Sequence, residues 1–119
     1  MSKVAVLRTS PETVLQDYGR LMGLADHHQF LPKEKHTALN INISWHYFYP
    51  ACSTTPWQLE GVIKKLISDG YDPNLLYGCH NRTVVVSAKK GEVANKHKPV
   101  LEKYALNNLP LRREGRMGD

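Results

Sequence analysis

TALNINISW, Thr37 to Trp45, alternates apolar and polar residues along its whole length. Leu39, Ile41, Ile43 and Trp45 fall on one face; Asn40, Asn42 and Ser44 fall on the other. A period of two is that of a strand, whose successive side chains point to opposite sides. Asparagine is a poor strand former, so the polar face is unusual. If helices cover that face, each amide needs a hydrogen-bond partner. The aperiodic stretch His46 to Thr54 then leads into Thr55-Pro56-Trp57-Gln58, the sharpest local signal in the chain. Thr55 suits an N-cap, Pro56 the first helical turn, and Gln58 the reciprocal capping position. Leu59, Val62, Ile63, Leu66 and Ile67 form an apolar stripe, Glu60 and Lys64 are spaced to pair on the wet side, and Gly70 ends the helix.

The same grammar extends outward. Lys3 to Leu7 (KVAVL) is short, apolar and β-branched, and reads as a buried first strand. Ser10-Pro11 then reads as the opening of a helix whose apolar positions are Val14, Tyr18, Leu21, Met22 and Ala25. On the other side, Leu75 to Cys79 (LLYGC) reads as a further buried strand, and Pro99 to Leu106 as a third amphipathic helix. Thr83 to Ala88 has strand composition but runs into a lysine-rich stretch. Strands alternating with helices build a parallel sheet with right-handed crossovers. The expectation is a small three-layer α/β domain over residues 1–111, with a short, mainly parallel sheet, and a frayed tail over 112–119.

Composition narrows the function classes. With 119 residues the chain has one domain's worth of length. Sixteen lysines and arginines against eleven acidic residues leave +5. That excess is mild, and its densest part, Lys89 to Lys103, is broken by Glu92 and Glu102, as on a solvated helix face. No basic stripe with interleaved aromatics points to nucleic acid. No apolar run reaches membrane-spanning length, and two cysteines without CxxC spacing make no disulfide framework. A cytoplasmic location is the default expectation.

Parallel α/β folds bind ligands beyond the carboxyl ends of their strands. The loops at those ends hold Asn42, His46, Cys52, Ser53, Thr54, Thr55, Cys79, His80, Asn81 and Arg82. Hydroxyls and free amides at the Ser53-Thr54-Thr55 helix start suit an anion, though Thr55 alone satisfies plain capping. Arg82 offers a two-pronged fork for carboxylate or phosphate, with Asn42, His46, His80 and Asn81 to orient the ligand. His46, Cys52, Cys79 and His80 have the chemistry of a zinc or iron site, although each comes from a separate position and backbone-bonded histidines explain them equally. Trp45, Tyr47, Phe48 and Tyr49 read as the packing of their own loop. Whether the domain is an enzyme stays open.

The run SWHYFYPACSTTPWQLEG, within Asn42 to Pro73, and the following YGCHNRTVVVSAKKGEVANKHKPVLEKYAL resemble domain-of-unknown-function family 362, over roughly residues 3 to 108. The resemblance implies an α/β core of undefined activity, often iron–sulfur-associated, in members usually longer than this chain. It does not carry over a ferredoxin-type cluster, because no CxxCxxC run is present. Asn42 matches the family pattern in the second strand, whereas Asn40 stands where a lysine is usual. The pattern fades after Asn108, which implies a truncated copy, inactive or dependent on self-association to cover open sheet edges.

Overall fold

The computed structural model describes residues 2–44, 47–48, 52–81, 90 and 93–111, with backbone alone for 80–81 and 107–111. Three strands form one parallel sheet in chain order: β1 (Thr37–Asn40), β2 (Leu76–Asn81) and β3 (Asn107–Leu111). The helices are α1 (Val14–Leu24), the short α2 (His27–Phe30), α3 (Pro56–Ser68) and α4 (His97–Lys103); a 3-10 turn, Pro73–Leu75, leads into β2. The protein is thus a small α/β domain with a parallel sheet, as its alternating elements predict.

The decisive stretch behaves as its period requires, though the regular strand is shorter than the pattern. Leu39 is half-buried and Ile41 buried, while Ala38, Asn40 and Asn42 are exposed. Pairing with β2 persists one residue past the strand, through the Ile41 amide on the Cys79 carbonyl at 2.7 Å. The asparagine side is exposed and not covered by a helix: Asn40 is open to solvent, and the Asn42 side chain bonds Ser44 Oγ and the Cys52 carbonyl. In the register, Leu39 lies beside Gly78. A Cβ at Gly78 would sit 2.9 Å from Ile41 Cδ1 and 3.0 Å from Leu101 Cδ2. Glycine in the central strand is what lets β1 and α4 close over it.

One core joins the sheet to α3 and α4: Ile41, Leu59, Ile63, Leu66, Tyr71, Leu76, Val100, Leu101 and Leu106. Ile63 and Leu66 are fully buried, and each such side chain contributes about 1.5–3 kcal/mol. α1 lies against α3. The α3 start is built as its sequence predicts: Thr55 is extended, its Oγ1 accepts the Gln58 amide at 3.3 Å, and Pro56 opens the helix. Gly70, at φ 96°, ends it in a conformation that costs glycine least.

Three expectations need correction. Lys3 to Leu7 is not a buried strand: it joins no sheet, and Val4 and Val6 are 84% and 86% exposed. The first helix opens at Val14 and not at Ser10-Pro11, which form a turn before it. Its N-cap, Thr13, sits at φ −121° and ψ 5°, away from the extended geometry of a cap, and makes no side-chain cap bond; its hydroxyl donates to Asp17 at 2.7 Å. Finally, Glu60 turns from Lys64 to α4, where its carboxylate accepts from Lys103 Nζ at 2.6 Å and Tyr104 Oη at 2.8 Å. Thr83 to Ala88 and the tail over 112–119 lie outside the described residues.

Candidate functional site

A parallel sheet brings all its carboxyl ends to one edge. β1 does not simply leave that edge. The Asn42 amide donates to Thr54 Oγ1 at 2.9 Å, and the Thr54 amide donates to the Asn42 carbonyl at 2.9 Å. The Ser44 amide donates to Ser53 Oγ at 3.1 Å, and Asn42 Nδ2 donates to Ser44 Oγ at 3.0 Å and the Cys52 carbonyl at 3.2 Å. The segment entering α3 is therefore stitched to the segment leaving β1. Asn42, Cys52, Ser53, Thr54 and Thr55, all named from sequence, come together here.

The stitching changes what the hydroxyls can do. Ser53, Thr54 and Thr55 each accept a backbone N–H. An accepting hydroxyl keeps its own proton to donate. The helix start thus holds three O–H donors whose oxygens are already fixed, plus the positive end of α3.

A third strand of the network comes from the turn before α4. His97 is fully buried, and its Nε2 lies 2.5 Å from the Thr54 carbonyl. A carbonyl only accepts, so Nε2 carries the proton. Asn95, also buried, precedes it, and between them Lys96 adopts a left-handed φ of 65°. Lys96 Nζ stands 4.8 Å over the Phe48 ring, and Lys90 Nζ 4.7 Å over that of Tyr47. These are cation–π distances, and they place two ammonium groups on the loop that follows β1. Tyr47 and Phe48 are exposed beneath them, so these two aromatics carry lysines; Trp45 and Tyr49 lie outside the described residues.

Asn95, Lys96 and His97 were missed because they sit inside the lysine-rich run that reads as a solvated face. Nothing in the local sequence marks His97, whose partner, Thr54, is 43 residues away.

The remaining candidates divide cleanly. His46 and Arg82 lie outside the described residues, and His80 and Asn81 are described by backbone alone, at the end of β2. Cys52 is exposed; Cys79 is buried, and burial pushes its thiol pKa up. A thiol that holds its proton is a poor nucleophile and a poor metal ligand. Among the described residues no group of three or more histidine, cysteine or acidic side chains could hold a metal ion. No described helix is long and apolar enough to cross a membrane. No family model, curated protein or solved structure matches the chain.

Proposed function

We propose that the domain binds a small anionic ligand at the carboxyl edge of its sheet, on the Ser53-Thr54-Thr55 start of α3. The observation carrying this reading is the reciprocal Asn42–Thr54 pairing, which holds hydroxyl donors and a helix N-terminus rigidly at that edge. Preorganised donors lose little entropy when a ligand arrives. Lys90 and Lys96 supply positive charge on the neighbouring loop, and Arg82, just beyond the end of β2, would add the fork that carboxylate or phosphate prefers.

Thermal shift against a panel of phosphorylated and carboxylated metabolites tests the idea. A ligand that prefers the folded chain raises Tm. Arg82→Ala and Lys96→Ala should each diminish that shift. An unchanged shift in both variants, or none with any ligand, sinks the proposal.

The resemblance to family 362 supports a second reading, an iron–sulfur-associated redox protein with Cys52, Cys79, His46 and His80 as ligands. Burial of Cys79 weighs against it. Anaerobic purification with elemental analysis separates the two: folded, metal-free protein without iron–sulfur absorbance removes the second reading and leaves the first intact.

A further inference from the structure

The two lysine–aromatic pairs at the carboxyl edge are built from segments far apart in the chain. Tyr47 and Phe48 follow β1, whereas Lys90 and Lys96 belong to the lysine-rich run that leads into α4. Lys90 Nζ lies 4.7 Å from the Tyr47 ring centre, and Lys96 Nζ 4.8 Å from that of Phe48. Successive residues of one segment thus meet lysines of another. The linear sequence holds no basic stripe with interleaved aromatics; folding assembles one. The backbone under it is fixed. Lys96 sits between the buried Asn95 and His97 with a left-handed φ of 65°, a conformation that costs a residue with a Cβ and persists only where neighbours hold it. His97 supplies part of that hold through the Thr54 carbonyl. The later lysines of the run are used differently: Lys98 and Lys103 reach the carboxylates of Glu102 and Glu60. Nor are the rings sunk in the fold. Tyr47 is 49% and Phe48 40% exposed, and Trp57, in the first turn of α3 at the same edge, is 42% exposed.

We propose that this patch binds single-stranded nucleic acid, with bases stacked on Tyr47 and Phe48 and phosphates drawn to Lys90 and Lys96. Charge complementarity favours a polyanion, because the chain carries +5 and two of its ammonium groups stand on this surface. The rings narrow the choice among polyanions. Every base has a π-face that an exposed aromatic can take up, and strand-binding surfaces combine such rings with basic groups. An ammonium within 5 Å of a ring centre lies within reach of the phosphate of a nucleotide stacked there. A duplex keeps its bases in its own stack, so the patch selects single strands. The inference goes beyond the anion site on α3: it depends on the rings, not on the helix start.

Fluorescence anisotropy with a labelled oligothymidylate and an abasic strand of equal length tests it on the full chain at low salt. The abasic strand should bind about tenfold or more weakly, since it keeps the phosphates and loses the stacking. Tyr47→Ala with Phe48→Ala should weaken oligothymidylate binding by a similar factor. Lys90→Gln and Lys96→Gln should each lower the slope of log affinity against log salt by about 0.7, whereas Lys64→Gln, exposed on α3, should not. Absence of binding at low salt overturns the proposal. So does equal binding of the two strands, a comparison that uses only the unaltered protein. Binding to phosphatidylserine vesicles without binding to either strand would assign the patch to a membrane and overturn it too. Inorganic phosphate separates this inference from the α3 site. If phosphate fails to raise Tm while base-dependent strand binding persists, the α3 reading falls and this one stands; a phosphate shift with equal binding of both strands does the reverse.

Discussion

Two stretches of this chain are written alike: an apolar strand pattern, a hydroxyl residue before proline, and an amphipathic helix. From Thr37 through α3 every part is used. The strand pairs with β2, Thr55 caps, and Pro56 opens the helix. From Lys3 through α1 the parts are present but redeployed. Among the described residues the strand pattern joins no sheet, Ser10-Pro11 makes a turn, and the Thr13 side chain bonds Asp17 without capping the helix. What separates them is attachment. α3 enters through a loop stitched to the end of β1, whereas among the described residues the side-chain ties of the first segment lead to α1 and the turn after it. Local signals propose a strand or a cap; long-range partners decide whether it is used.

The widest expected gap between the two units lies in their apolar residues. Leu66, fully buried beneath the sheet, should cost about 2–5 kcal/mol when replaced by alanine. Val6→Ala should change stability by no more than about 0.5 kcal/mol. Urea midpoints at constant m-value measure both. If Val6→Ala costs as much as a core truncation, the first segment belongs to the core in solution and the contrast collapses.

The caps give a smaller and cleaner contrast. Thr55→Ala removes the acceptor of the Gln58 amide and should cost about 1 kcal/mol. Ser10→Ala, at the other hydroxyl–proline pair, removes only a contact to the Thr13 hydroxyl and should stay within about 0.5 kcal/mol. Equal losses would mean that both pairs act as caps.

Which of these features was legible follows from how far each depends on distant residues. Two of the three strands and α3 were readable because Leu39 to Ile43, Leu75 to Cys79 and Thr55 to Gly70 carry their patterns within themselves, whereas β3 (Asn107–Leu111), with two asparagines and a proline, has no strand pattern of its own. The same order of elements located Asn42 and Ser53 to Thr55, since the strand ends must meet at one edge. Lys3 to Leu7 was misread because composition speaks for strand propensity and not for a vacant neighbour. Glu60 shows the same limit: Lys64 is a helical turn away, but Lys103 and Tyr104 reach it first. His97 was unreadable because its bond to the Thr54 carbonyl exists only after two loops have packed.

The finest test of the comparison uses acid. Each unit contains a carboxylate that accepts from two other side chains. Asp17 holds the first: the Thr13 hydroxyl, then that of Thr9, keep its pKa below the ordinary value of 3.8. Glu60 serves the second: Lys103, then Tyr104, hold it below 4.5. A carboxyl whose folded pKa is depressed stabilises the fold above its unfolded value, and that contribution is lost as pH falls through the folded value. The contribution of these two carboxylates should therefore be complete above about pH 5 and be lost progressively below about pH 4. Asp17→Asn and Glu60→Gln should each lower stability at neutral pH and flatten the acid limb, because the variant has no proton left to take up. The two should differ in what comes loose. Protonating Asp17 should speed amide exchange in the first turn of α1, where the Asp17 amide bonds the Thr13 carbonyl, while the α3 amides stay protected, whereas protonating Glu60 loosens α4 against α3 and should lower the global urea midpoint. Urea midpoints from pH 7 to 3, with exchange read residue by residue, separate the two effects. An acid limb unchanged in both variants would place its origin elsewhere, with Asp69 the next carboxylate to examine. Burial works to raise the Asp69 pKa, and His27 and Lys65 outweigh it and hold it low.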